Sequence, residues 1–229
     1  KRDRREAKRK QVQLATVDPA TGRPAVRTIV FRGFLSLDEL SGGASGDGSD
    51  ARGGGSSVLV FVTDSRAEKV RHLREPSAAF VELCWWLEEA GVQFRIGGRA
   101  LLATEDSSDE DLRALRAAVW RRLQAGTKAT FTWPTPGRPR GAVPEAPEAE
   151  ATAELDEAVD DDGEGPPLSE AHFAVVLVLP DRVDELRLGG NQRRRLYELV
   201  EPSAGAPSPG LRSDAWLDAG AWTVREVNP

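Results

Sequence analysis

The 229-residue sequence contains one cysteine, no methionine, two histidines and one tyrosine. A single cysteine excludes an internal disulfide. Cys84 lies in an apolar run, which is typical of a buried, unreactive thiol. His72 and His172 lack the spacing of metal ligands, so we predict no metal site. No apolar segment is long enough to cross a bilayer, and we expect no membrane partner.

The sequence also lacks the common catalytic motifs G-x-S-x-G, H-E-x-x-H and the Walker loop. Its net charge of −6 argues against a nucleic-acid partner, and the basic residues 1–11 are more typical of the solvated end of a helix. We expect a soluble, intracellular protein. Because methionine is absent, we expect the natural start to lie outside this sequence, which leaves cytoplasm and organelle (chloroplast included) both open.

Two low-complexity stretches interrupt the chain. Residues 41–57 are mostly Gly, Ser, Ala and Asp, and residues 141–168 are acidic and rich in Pro and Ala. Neither stretch has enough apolar side chains to offset the entropy of ordering it. We therefore predict one domain, 1–229, with a flexible Gly/Ser loop and an acidic disordered insertion.

Runs of β-branched and aromatic residues predict a mainly β fold with flanking helices. A short helix is expected after Ser65 as N-cap, a longer one from Ser108 to Gly126, and a third beginning in Gln192–Leu199. Strands and helices do not alternate along the chain, which disfavours a parallel sheet. A closed antiparallel barrel is indicated instead, because it leaves no unpaired strand edges. The predicted strands are Val12–Val17, Ala25–Leu35, Ser57–Thr63, Ala78–Trp86, Val92–Ala103, Phe173–Leu179 and one near Trp222–Val227.

Two arginines, Arg27 and Arg32, interrupt an otherwise apolar strand. A charge on such a strand is unfavourable unless it is paired. Both residues could lie on the solvent face of an edge strand, but their odd spacing places them on opposite faces. We therefore expect at least one of them to meet a ligand or a partner chain.

The segment Thr63–Lys69 leads from a strand into the predicted short helix. Arg66 and Lys69 place positive charge in its first turn, where the helix dipole alone disfavours cations. A bound phosphate at the helix N-terminus explains this pattern; a surface helix with incidental bases is the alternative. On a later strand, Gln93 offers both a donor and an acceptor, which suits the pyrimidine edge of a flavin. Trp86 and its neighbour Trp85 are interpreted as core or dimer contacts.

Six stretches together resemble the pyridoxamine 5′-phosphate oxidase-like family, most closely its cyanobacterial and plant branch. They occur in the family's order and cover nearly all of the chain outside the two low-complexity stretches. The six are QLATVDPATGRPAVRTIVFRGF, LVFVTDSRAEKV, CWWLEEAGVQFRIGGRALL, FTWPTPGRPR, LRLGGNQRRRLYE and WTVREVNP.

The resemblance implies a Greek-key, antiparallel, FMN-binding split β-barrel, an obligate homodimer, and FMN sites shared between subunits. By resemblance, Arg27 and Lys69 bind the FMN phosphate, Gln93 bonds the pyrimidine edge, and Arg195 approaches from the partner subunit. The implied cofactor-binding set is Arg27, Thr28, Ile29, Val30, Phe31, Arg32, Val62, Thr63, Arg66, Lys69, Gln93 and Arg195.

The resemblance further implies a vitamin B6 oxidase that passes hydride from pyridoxamine or pyridoxine 5′-phosphate to FMN, with O₂ as oxidant. Its candidate catalytic residues are Arg32, Arg195 and Tyr197. Three departures affect the substrate more than the cofactor: Glu68 replaces an arginine, Tyr197 replaces a histidine, and FTWPTPGRPR stands where the oxidase has substrate-phosphate contacts. An FMN-dependent reductase of another substrate and a non-catalytic FMN- or haem-binding protein are the alternatives.

Overall fold

The computed structural model describes residues 8–35, 56–75, 79–139, 170–200 and 222–229. The two low-complexity stretches lie outside these ranges except for Ser56 and Ser57. The described part contains eight strands: β1 Gln11–Val17, β2 Pro24–Phe34, β3 Leu59–Asp64, β4 Phe80–Leu87, β5 Val92–Ala103, β6 Phe173–Arg187, β7 Arg193–Leu199 and β8 Trp222–Val227. Its α-helices are α1 Glu68–Arg74, α2 Glu110–Arg122 and α3 Ala125–Ala129.

All strand pairs are antiparallel, and six strands close into a barrel. The order around the barrel is β1-β2-β3-β6-β5-β4, with β4 returning to pair with β1, and β7 and β8 extend the sheet beyond β6. Strand β4 lies beside β1 after the β1-β2-β3 meander, which is the Greek-key arrangement. The predicted fold is therefore confirmed.

Two apolar cores lie on opposite sides of the barrel wall. The inner core fills the barrel with Val12, Leu14, Phe61 and Leu83, among others. The outer core packs β3, β5 and β6 against α2 and includes Leu115, Val119, Phe131 and Phe173. The first half of β6 contributes to both cores, so its residues Phe173–Pro180 are all buried. This is why the segment is a continuous apolar run rather than an alternating one.

The predicted starts of the first two helices are both wrong in detail. Helix α1 begins at Glu68 after Ala67, which makes no side-chain cap. Ser65 instead donates its backbone N–H to the His172 carbonyl, and Asp64 organises the turn by accepting from the Arg66 N–H at 2.8 Å. Asp109, not Ser108, caps α2. Gly126 does not end α2, which finishes at Arg122; it lies inside α3.

The predicted third helix at Gln192–Leu199 is also wrong, because this segment forms β7. Pairing with β6 on one side and β8 on the other overrides the local preference of a run of arginines. The last strand, Trp222–Val227, has the predicted bounds. Within the described ranges, no helix combines the length and apolar character needed to cross a bilayer.

Candidate functional site

Arg27 and Lys69 lie at the end of the barrel that α1 covers. Arg27 is on β2 with Ile29 and Phe31, on the inner side of the wall, and pairs in register with Leu14. Lys69 is in the first turn of α1, directly after the last residues of β3. Its Nζ donates to the Thr63 hydroxyl at 2.9 Å. Strand alternation and the β3–α1 turn thus bring two cations of distant sequence to one place.

The electrostatics of this pair are unfavourable in the protein alone. Burial lowers the pKa of Lys69, and the charge of Arg27 lowers it further. Burial also lowers the pKa of the Arg27 guanidinium, with Glu68 acting in the opposite direction. Among the described residues, neither cation forms a salt bridge, although Asp64 acts on Lys69 and Glu68 acts on Arg27 electrostatically. Two half-buried cations without a salt-bridged carboxylate are suited to bind an anion.

Two further residues at this end of the barrel were missed by the sequence analysis. Thr16 of β1 bonds Arg27, and His72 of α1 bonds Thr16. The signal for Thr16 was available: it follows Val12 and Leu14 at the inward positions of β1, where a polar side chain is unusual. The signal for His72 was weaker, because a single buried histidine on a short helix has many structural explanations.

Arg66, predicted to lie near the phosphate, is engaged elsewhere in the described structure. Its guanidinium forms a salt bridge with Asp64 at 2.6 Å and donates to the Trp133 carbonyl at 2.9 Å. It therefore ties the loop after α3 to the β3–α1 turn. Since α1 has only seven residues, the anion site rests on the side chains of Arg27 and Lys69 rather than on the helix terminus.

The other predicted cofactor residues divide between two faces. Ile29 and Phe31 point into the barrel, where Phe31 packs against Phe61 and Trp85. Thr28, Val30 and Arg32 are exposed on the other face of β2. Val62 packs against the outer core, while Gln93 is half-buried on β5, in register with Trp86.

Arg195 and Tyr197 lie on β7, remote from the cation pair of the same chain. Arg195 pairs with Glu185 of β6, whereas Thr63 pairs with Ala174, which is eleven residues earlier on that strand. At about 3.3 Å per residue, roughly 36 Å of strand β6 lies between the two positions. The Tyr197 hydroxyl donates to Glu185 at 2.7 Å, and Arg195 lies 4.0 Å from the same carboxylate.

A family model matches the first part of the chain, and one related sequence matches nearly its full length. Residues 1–104 match the family described as "Pyridoxamine 5'-phosphate oxidase, FMN-binding domain". "Pyridoxine/pyridoxamine 5'-phosphate oxidase 2" of Arabidopsis thaliana is 29% identical over 218 residues, covering 95% of this chain and 86% of that protein. An enzyme of the same activity name from Xanthomonas campestris pv. campestris is 33% identical over 127 residues, and the match spans about half of each protein (53% and 52%).

Solved structures share the fold. An FMN-binding protein related to pyridoxamine 5′-phosphate oxidase from Nostoc punctiforme superposes with a TM-score of 0.66 at 29% identity, covering 100% of this chain and 92% of that one. PhzG from Burkholderia lata 383, at 17% identity, has a TM-score of 0.55 with coverage of 97% and 83%. The six-stranded Greek-key barrel and these matches make the chain similar to the pyridoxamine 5′-phosphate oxidase-like family, whose FMN-binding domain matches residues 1–104.

Proposed function

We propose that this protein is an FMN-dependent oxidase that acts as a homodimer on pyridoxamine or pyridoxine 5′-phosphate, with O₂ as the final electron acceptor. The observation that carries the proposal is the pair of half-buried cations, Arg27 and Lys69, neither of which forms a salt bridge with a carboxylate among the described residues. The relatives named for vitamin B6 phosphate oxidation supply the substrate class.

The residues at this site fit the phosphate of FMN. Arg27 offers a planar set of donors that matches phosphate oxygens, and Lys69 adds a second, compact charge. Hydrogen bonds to charged groups contribute about 1.5–3 kcal/mol each. In the protein alone, the charge of Arg27 lowers the pKa of Lys69. A phosphate dianion bound between the two cations offsets this repulsion.

The chain's own residues bind and orient in this mechanism. Arg27 and Lys69 hold the phosphate, and the Thr63 hydroxyl fixes the direction of the Lys69 ammonium group. Bound FMN supplies the hydride-accepting chemistry. We assign Arg32, on the exposed face of β2, and Arg195 to substrate contacts. No residue has to act as a strong base, which accords with the absence of a recognisable catalytic motif.

A second copy of the chain completes the site in this proposal. Roughly 36 Å of strand β6 lies between the partner of Arg195 and the partner of Thr63, so we infer that Arg195 joins the cation site only from a second subunit. The outward positions of β1, β2 and β4 carry exposed apolar residues, with Val26 70% and Phe80 57% exposed. We call this surface the outer face; it also includes Val17, Val30 and Trp86. Contiguous exposed apolar side chains of this kind mark interfaces.

A second candidate function is an FMN-dependent reductase of a different substrate. The Glu185 carboxylate accepts from Tyr197 and lies within ion-pair distance of Arg195 and Arg187. This network engages the two residues that the resemblance assigns to the substrate of the oxidase, and its carboxylate is buried. Side chains held in this way are less available to a phosphate, which favours a different substrate.

The test is a spectrum followed by two turnover assays on the purified, FMN-loaded protein. The oxidase proposal predicts the visible absorbance of an oxidised flavin and peroxide release on adding pyridoxamine 5′-phosphate in air. Bleaching by a reduced nicotinamide, with no peroxide from the B6 phosphates, identifies the reductase. A protein that binds FMN and shows neither reaction is a non-catalytic FMN carrier, and both enzymatic proposals then fail.

A further inference from the structure

Thr16 and His72 form a buried polar pair behind Arg27. Each is only 1% exposed, and the Thr16 hydroxyl lies 2.9 Å from His72 Nδ1. Arg27 Nη1 donates to the same hydroxyl oxygen at 2.6 Å. A chain of hydrogen bonds therefore runs from α1 through β1 to a cation of the proposed phosphate site on β2.

The direction of this chain follows from the number of donors and acceptors. Arg27 can only donate, so it uses a lone pair of the Thr16 oxygen. Within the described residues, the single hydroxyl hydrogen of Thr16 has one available acceptor, His72 Nδ1. We therefore assign Thr16 as the donor to Nδ1, which places the ring proton of His72 on Nε2. That nitrogen is buried without a hydrogen-bond partner, 3.9 Å from an oxygen of Glu68.

The arrangement fixes one edge of the Arg27 guanidinium. Besides Thr16, Nη1 donates to the carbonyls of Ala25 at 3.1 Å and Leu14 at 3.3 Å. In the described structure, the hydrogen bonds of the Arg27 side chain are all made by Nη1. Its Nε and Nη2 donors are left for a ligand. An arginine held in this way loses less side-chain entropy when it binds an anion.

We propose that His72 is a positioning residue for the cofactor phosphate, acting through the Thr16 hydroxyl to orient Arg27. This inference rests on the proposed FMN site and adds two residues to it that do not touch the cofactor. The unpartnered Nε2 of His72 is consistent with this role, because a histidine kept only for core packing gains nothing from a buried, unsatisfied N–H.

The experiment compares the affinities of the apoprotein for FMN and for riboflavin, which lacks the phosphate. The quantity measured is the ratio of the riboflavin Kd to the FMN Kd. We expect Thr16→Val and His72→Leu each to lower this ratio about tenfold, with little change in riboflavin affinity. His72→Asn is expected to keep most of the wild-type ratio, because the amide oxygen of Asn can accept from Thr16 at the position of Nδ1.

Thr104→Val is the matched control, since Thr104 is another buried threonine that bonds a neighbouring side chain, Ser107, away from Arg27. Its ratio is expected to equal that of the wild type. The double variant Thr16→Val/His72→Leu is expected to show no further loss beyond either single variant, because both interrupt the same chain. Should His72→Leu fail to fold, the near-isosteric Thr16→Val carries the test.

The possible results distinguish a failure of the FMN phosphate site from a failure of the positioning role of His72. A wild-type ratio near one overturns the FMN phosphate site, and the role of His72 with it. A large wild-type ratio that is unchanged in Thr16→Val and His72→Leu overturns the positioning role alone. Equal losses in His72→Asn and His72→Leu also contradict it, because the acceptor at the Nδ1 position is then irrelevant.

Discussion

The charged form of Lys69 is disfavoured in the protein alone, although we propose that this charge binds the FMN phosphate. Its pKa is lowered by burial and then by Arg27, so its charged form is less favourable in the folded protein than in solution. Its long stem still packs at the barrel end. A residue that is unfavourable in the protein alone is understandable where a ligand offsets the cost, and such perturbed groups are concentrated at functional sites.

Replacing Lys69 by Met tests the charge while keeping the length of the side chain. We expect Lys69→Met to weaken FMN binding by about 10- to 100-fold, because one hydrogen bond to a charged group contributes about 1.5–3 kcal/mol. Riboflavin affinity is expected to remain unchanged. Lys128→Met is the control, since Lys128 lies over the Trp120 ring on the α2–α3 side. Equal losses in both variants, measured by fluorescence titration, contradict the assignment.

The pH dependence of stability gives a second test of Lys69. Its folded pKa lies below the unfolded value of 10.5, so between these values the unfolded chain binds more protons. The stability of the apoprotein therefore gains a component that rises with pH through this window. FMN affinity has the opposite trend there, because the ammonium group loses its charge. Urea unfolding from pH 7 to 10.5 is expected to show this component in the wild type and not in Lys69→Met.

At the scale of the elements, the β5–β6 pair depends on two adjacent glycines. The register shifts between Gly97 and Gly98, opposite Arg182 and Pro180. A Cβ on Gly98 would lie 2.1 Å from the Leu179 carbonyl oxygen, which is backbone and cannot move away. For a Cβ on Gly97, the three nearest atoms belong to the side chain of Arg182, which is largely exposed.

We therefore expect Gly98→Ala to destabilise the fold by about 3 kcal/mol or more, through an overpacked backbone contact at a bulge. Gly97→Ala is expected to change stability by less than about 1 kcal/mol. Thermal unfolding of both variants measures this difference. Similar melting temperatures for the two would show that β5 and β6 can separate at this bulge without loss.

The sequence predicted elements well where the periodicity was strong and poorly where distant contacts decided. The strand Val92–Ala103 has the expected bounds. The helix predicted at Gln192–Leu199 is a strand because it pairs with β6 and β8 on its two sides. The local sequence, with three consecutive arginines, does not reveal these distant pairings. The N-cap at Ser65 was wrong because the Asp64 carboxylate organises the turn.

For the site, the sequence indicated Arg27, Thr63 and Lys69, and the fold brings these three together. It did not indicate Thr16 and His72, because their roles depend on the packing of α1 against β1 rather than on local pattern. It also gave no indication that Arg66 binds Asp64 and the Trp133 carbonyl. Residues 28–32 were predicted as one lining, whereas strand alternation divides them between two faces.

For the whole molecule, the central expectation is a dimer through the outer face. Val26→Asp places a charge at its most exposed position and is expected to yield monomers with little turnover of the B6 phosphates, because Arg195 then reaches no second site. Ala117→Asp, on the exposed side of α2, is the control and is expected to remain dimeric. Light scattering of both variants distinguishes them. A Val26→Asp protein that stays dimeric with full turnover places the interface elsewhere.

Calorimetric titration of the wild-type apoprotein with FMN and with riboflavin tests most directly whether Arg27 and Lys69 bind the flavin phosphate. If Arg27 and Lys69 bind the phosphate, FMN binds at least about 100-fold more tightly than riboflavin, which corresponds to roughly 3 kcal/mol for two charged contacts. Equal affinities for the two flavins, or no binding of either, would contradict the claim that this pair of cations is a flavin-phosphate site.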